Sequence, residues 1–136
     1  MSFEVYLQSH HDGAFAGLPE TSVREAFGSH LSEESDRIWR LRYDAENESV
    51  IYVGREPDRT ISSLMVERPC GDGRLWDALF RVMELGNVVF FFPGGTAPAV
   101  AHGDAGSHLP RDMVDALGAP QVVASGSDLY RLIQEG

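Results

Sequence analysis

The segment from Arg74 to Phe92 constrains the fold more than any other part of the chain. Leu75, Trp76, Leu79, Phe80, Val82 and Met83 recur at helical spacing and make an apolar stripe that covers most of a helix circumference. Asp77 and Arg81, four residues apart, are left to mark its solvent edge. Such a helix needs a sheet against one side and further chain, or a partner, against the other. Asp72 is placed to cap its start and Gly86 to stop it. Directly afterwards, Val88-Val89-Phe90-Phe91-Phe92 is an apolar run without alternation, the pattern of a strand buried on both faces, which predicts a central position in a sheet. Pro93-Gly94-Gly95 ends it.

The remaining segments supply the rest of the sheet and its cover. Residues 3 to 8 alternate, with Phe3, Val5 and Leu7 on one face and Glu4, Tyr6 and Gln8 on the other, as a half-buried strand does. After a loop at His10-His11-Asp12-Gly13, Pro19 and the pair Ser22/Glu25 predict a short capped helix that stops near Gly28. Alternation in 38 to 43 and 50 to 53 across the polar Asp44–Glu48 segment predicts a β-hairpin, and 60 to 67 a third strand, so the middle of the chain reads as an antiparallel meander. Beyond a small-residue stretch, a helix is expected from about Pro110 to Leu117, then a short strand at Gln121–Ala124. A last helix starts at Ser125 or Ser127 and buries Leu129, Leu132 and Ile133. The expected order is βα-βββ-α-β-α-βα: an α+β layer sandwich with a mostly antiparallel sheet and helices packed on it, one domain over residues 1–136.

At 136 residues and 43% apolar content the chain is large enough to close a core without disulfides or a structural metal. No apolar run has the length needed to cross a bilayer, and Met1-Ser-Phe-Glu-Val-Tyr does not resemble a secretory signal. These features, with Cys70 as the single cysteine, predict a reducing, cytoplasmic setting. The net charge of −10 argues against nucleic acid and anionic membranes as partners and favours a basic protein. All 11 basic residues are arginine, the better bidentate partner for carboxylates.

Chemistry-bearing residues are few. Cys70 precedes the wide helix, where free N–H groups favour a thiolate, but Asp72 competes for the same helix end, and a small buried residue in a turn is the simpler reading. No catalytic residue is assigned. Cys70, Arg74 and His102, above the Phe92-Pro93-Gly94 exit, are the candidates under an enzymatic alternative. Two histidine groups, His10/His11 with Asp12 and His102/His108 with Asp104, have the side chains of metal or acid–base sites, yet neither spacing matches a ligand pattern, so no metal is assigned. Pro93-Gly94-Gly95-Thr96 could offer N–H groups to a phosphate, but it lacks the Gly-Lys-Ser/Thr run and the three-glycine fingerprint, so no cofactor is expected.

Acidic residues gather at Glu33/Glu34/Asp36, Asp44/Glu46/Glu48 and Glu56/Asp58. If they sit at one end of the meander they form a negative patch able to steer a basic partner, with Tyr52 or Tyr6 as aromatic anchors. The stretches Arg68-Pro-Cys-Gly-Asp-Gly-Arg-Leu-Trp76 and Gly86-Asn-Val-Val-Phe-Phe-Phe-Pro-Gly94 resemble those of small bacterial proteins that look like immunity partners of polymorphic toxins. The resemblance implies a non-catalytic inhibitor that neutralises a bacterial toxin by direct binding. The other reading left open is an oligomeric structural or regulatory subunit, for which exposure of Trp76 or Phe80 would speak.

Overall fold

The computed structural model describes residues 3–95 and 97–135. Its strands are β1 (Glu4–His11), β2 (Ala14–Phe15), β3 (Leu31–Glu33), β4 (Ile38–Asp44), β5 (Asn47–Arg55), β6 (Ile61–Glu67), β7 (Val88–Phe91), β8 (Ala99–Val100) and β9 (Gln121–Val122). The helices are α1 (Glu20–Phe27), α2 (Gly73–Met83), α3 (Gly103–Gly106), α4 (Arg111–Leu117) and α5 (Gly126–Glu135). The fold is α+β, as expected. One sheet runs in the order β3-β4-β5-β6-β1-β7-β8-β9, with β2 on the end of β1, and every ladder is antiparallel except β8 with β9.

Alternation along the strands sorts the sheet into two faces. The inner face carries Val5, Leu7, Trp39, Leu41, Ile51, Val53, Leu64, Val66 and Phe90, all buried against Val23 and Phe27 of α1, Leu75, Leu79, Val82 and Met83 of α2, and Leu129 of α5. On the outer face, Val89 and Val100 are buried beneath Ala105 and Leu109, with Phe91, Met113 and Val114 packed alongside. The run at Val88–Phe91 is therefore buried on both faces, though β1 and β6, and not β7, hold the middle of the sheet. The broad stripe of α2 is covered by the sheet, α1 and α5: Trp76 is buried and Phe80 half-buried.

Several local expectations are corrected. The capping box at Ser22/Glu25 does not form, because Leu18 bridges to Ile61 and the helix starts at once after Pro19, leaving both residues inside α1. The His10–Gly13 loop is instead a continuation of β1 that turns through Asp12-Gly13 into β2; Asp12 at φ 49° and Gly13 at φ 83° suit the left-handed positions of a two-residue hairpin turn. Strands β3 and β8 were not expected, since two or three residues carry no readable alternation. The α5 start follows Ser125, whose Oγ accepts the Asp128 amide at 3.2 Å while the Asp128 carboxylate accepts the Ala124 amide at 2.9 Å. The Thr96 end of the glycine turn lies outside the described residues. No helix among the described residues is long and apolar enough to cross a membrane.

Candidate functional site

The three acidic groups do not share one end of the sheet. In an antiparallel meander successive turns alternate ends, so the β3–β4 turn with Glu33, Glu34 and Asp36 lies beside the β5–β6 turn with Glu56 and Asp58, while Asp44, Glu46 and Glu48 lie at the far end of β4, roughly 20 Å away. Arginines also interleave with them. Glu33 is 3.4 Å from Arg24, Glu34 2.9 Å from Arg40, and Glu48 2.9 Å from Arg42. Asp36 pairs with Arg59 and Arg55, and Arg55, itself almost buried, also pairs with Glu20. Asp44 turns its carboxylate onto Asn47 and the turn amides, with Arg74 at 3.7 Å. These partners hold several carboxyls below their ordinary range: Glu20 through its bond from Arg24, Asp36 through Arg59, Asp44 through Asn47. Of the seven residues assigned to partner binding, five acids are thus engaged with arginine, and Glu46 and Tyr52 are not.

Tyr52 opens a different view of the surface. The strand registers place Ile38 opposite Tyr52, Tyr52 opposite Met65, Met65 opposite Tyr6 and Tyr6 opposite Phe91. All five project from the outer face and are exposed or half-buried. They form one straight apolar row across β4, β5, β6, β1 and β7, about 19 Å long at the usual strand spacing. Tyr6 stacks on Phe91 with ring centroids 5.2 Å apart. A second row, Arg40–Val50–Glu67–Glu4, runs beside it. Here two carboxylates, Glu67 and Glu4, stand directly opposite each other, an arrangement that costs stability when nothing compensates. Neither makes an ion pair among the described residues. The charge of Glu67, first among its neighbours, raises the pKa of the Tyr52 hydroxyl. Along this flank a groove of about 450 Å³ is lined by Ser32, Arg40, Arg42, Val50, Glu67 and Arg68.

The trio considered for an enzymatic role is not assembled. Cys70 is held through its peptide group: its amide donates to Ser49 Oγ at 3.0 Å and its carbonyl accepts from Trp76 Nε1 at 3.1 Å. Arg74 is occupied by Asp72, to which Nε and Nη2 donate at 3.0 and 2.7 Å, and lies over the Tyr43 ring. His102 bonds the Gly86 carbonyl at 3.3 Å, beyond the opposite end of α2, about 14 Å of helix away from Arg74. Phe92 fills the strand exit by packing on Phe3 and Phe90. What does gather near Arg74 is His30, whose ring lies 4.8 Å from that of Tyr43, beside a cavity of about 230 Å³. Burial, then the neighbouring Cys70 and Asp72, push the Tyr43 hydroxyl up to about 12, so it stays a neutral phenol, buried without a hydrogen-bond partner among the described residues. The nearness of His30 to Arg74 had no signal in the sequence, because they are brought together by a strand pairing and a helix contact far apart in the chain.

Asp72 is the best-placed carboxylate at that end. Bonds from the Arg74 side chain and amide lower it from 3.8 to about 2. Its folded value lies below its unfolded one, so on acidification the unfolded chain takes the proton first; the stabilisation is present above pH 4 and is lost between about 4 and 2. Asp72→Asn keeps a good helix cap but cannot titrate. Urea unfolding at pH 5, 4 and 3 should therefore show a shallower loss of stability in the variant than in the native chain, and equal slopes would refute the assignment.

No family model matches the chain, and comparison with curated proteins and with solved structures likewise finds no match.

Proposed function

We propose that this protein is a non-catalytic, cytoplasmic binding protein that holds a basic protein partner on the outer face of its sheet, and that the partner is a bacterial toxin domain neutralised by direct contact. The observation that carries the reading is the opposed pair Glu4/Glu67 beside the row Ile38–Tyr52–Met65–Tyr6–Phe91. Two opposed carboxylates without an ion-pair partner among the described residues, next to a tyrosine-bearing apolar strip, are an unfavourable surface for an isolated chain and a favourable one for an arginine or lysine flanked by apolar contacts. The net charge of −10 adds long-range attraction for the same class of partner. Helices α3 and α4 cover this face only where they pack on Val89, Phe91 and Val100, and leave the β4–β5–β6–β1 stretch open.

The test is capture from the native host at moderate salt, identification of the partner by mass spectrometry, and reconstitution of the purified pair. Tyr52→Ala is expected to weaken the complex by ~30-fold, the scale of an interface anchor. Glu67→Gln is expected to weaken it and flatten its salt dependence while stabilising the isolated chain by a few tenths of a kcal/mol, because the repulsion with Glu4 is gone. A partner without toxin activity, or one indifferent to both substitutions, would sink the proposal.

A further inference from the structure

The two histidine groups of the sequence each contribute to a single cluster in space. His11, at the end of β1, and Asp12, in the β1–β2 turn, meet His108 from the connection between α3 and α4. One potential ligand atom from each of the three lies within 4.8 Å of the others. His11 Nε2 is 3.4 Å from one carboxylate oxygen of Asp12, and His108 Nδ1 is 3.4 Å from the other. A tetrahedral ion with bonds of about 2.0–2.1 Å separates its ligands by about 3.3–3.4 Å, the length of each histidine–carboxylate contact, although the two contacts go to different oxygens of Asp12. The imidazole rings of His11 and His108 stack 4.8 Å apart and 17° from parallel.

The backbone holds this arrangement in place. The Gly13 amide donates to the His108 carbonyl at 2.9 Å, and the Asp12 amide donates to His108 Nδ1 at 3.1 Å. As an acceptor, Nδ1 carries no proton and points its lone pair at the turn; an ion would take over that lone pair from the amide. The neighbouring histidines are directed elsewhere. His10 is buried, bonded to Gln8 and stacked on Phe15, and His102 faces Gly86.

We propose that His11, Asp12 and His108 bind one divalent transition-metal ion of the zinc, nickel or copper class. Two imidazoles and one carboxylate suit these ions, whereas magnesium and calcium take all-oxygen sets. The ion would tie the β1–β2 hairpin to the α3–α4 connection. With His11 and Asp12 exposed, at least one coordination position faces solvent.

Tag-free chain, stripped with chelator and exchanged into chelator-free buffer, is titrated with zinc chloride in a calorimeter. One saturable site per chain is expected, with magnesium chloride giving none. His11→Ala and His108→Ala are each expected to weaken zinc binding ~10-fold or more. So is Asp12→Asn, which preserves a residue at ease in the left-handed turn. His30→Ala and His102→Ala should bind as the native chain does. Because the His11 side chain is exposed and only its main chain takes part in the hairpin pairing with Ala14, its variant tests the site without putting the fold at stake, and circular dichroism of each variant checks this. Absence of saturable binding, or binding that survives the His11→Ala/His108→Ala double substitution, would overturn the proposal.

Discussion

Trp76→Ala is expected to destabilise the protein by about 3–5 kcal/mol, read from urea unfolding followed by far-ultraviolet circular dichroism. Trp76 is 1% exposed and sits where α2, α5 and β7 meet, its ring edge-on to Phe90 and tilted against Tyr130. Its indole N–H also ties α2 to the Cys70 carbonyl. The same physics predicts a difference between the two tryptophans when each is changed to phenylalanine. Trp76→Phe leaves that carbonyl without its donor. Trp39 Nε1 is buried with no partner among the described residues, so Trp39→Phe removes an unsatisfied group and keeps a ring beneath the Arg24 guanidinium. Trp39→Phe should cost less than Trp76→Phe by about 1 kcal/mol. Equal costs, or the reverse order, would show that volume alone governs both sites.

Gly126→Ala is expected to cost about 1–3 kcal/mol, although alanine is the better helix former. A Cβ at this position would lie 2.5 Å from the Trp76 carbonyl carbon and 2.6 Å from the Asp77 amide nitrogen. Those are backbone atoms of α2 and cannot step aside as a flexible side-chain end would, so α5 must lift off the helix it covers. Gly73 is the control: it opens α2, and a Cβ there meets nothing within 4 Å. Gly73→Ala should be neutral or slightly stabilising by thermal unfolding. If Gly126→Ala were equally harmless, the close approach of α5 to α2 would be disproved.

Particular residues show what was readable. The stripe from Leu75 to Met83 and the run from Val88 to Phe91 announced a helix and a doubly covered strand, because burial acts on each residue along a local period of 3.6 or 2. The Asp72 cap was equally local. The acidic groups divide between two ends of the sheet because turns of a meander alternate ends, which separates Glu33–Asp36 from Asp44–Glu48. Their arginine partners were less accessible, since Arg24 and Arg59 reach Glu33 and Asp36 from another helix and another turn.

By itself the sequence determined the kinds of element, most of their boundaries, the faces they bury and the net charge of −10, all consequences of short-range periodicity and composition. Tertiary structure alone decided which residues stand together. Ile38, Tyr52, Met65, Tyr6 and Phe91 become one row, and Glu4 faces Glu67, only through ladder registers that join strands distant in the chain. His108 reaches Asp12 across 96 positions because the sheet sets β1 beside β7, with β8 next in order, and so brings the α3–α4 connection over the hairpin turn. Register is set by how whole hydrophobic faces close over one core, and no window of neighbouring residues contains that information.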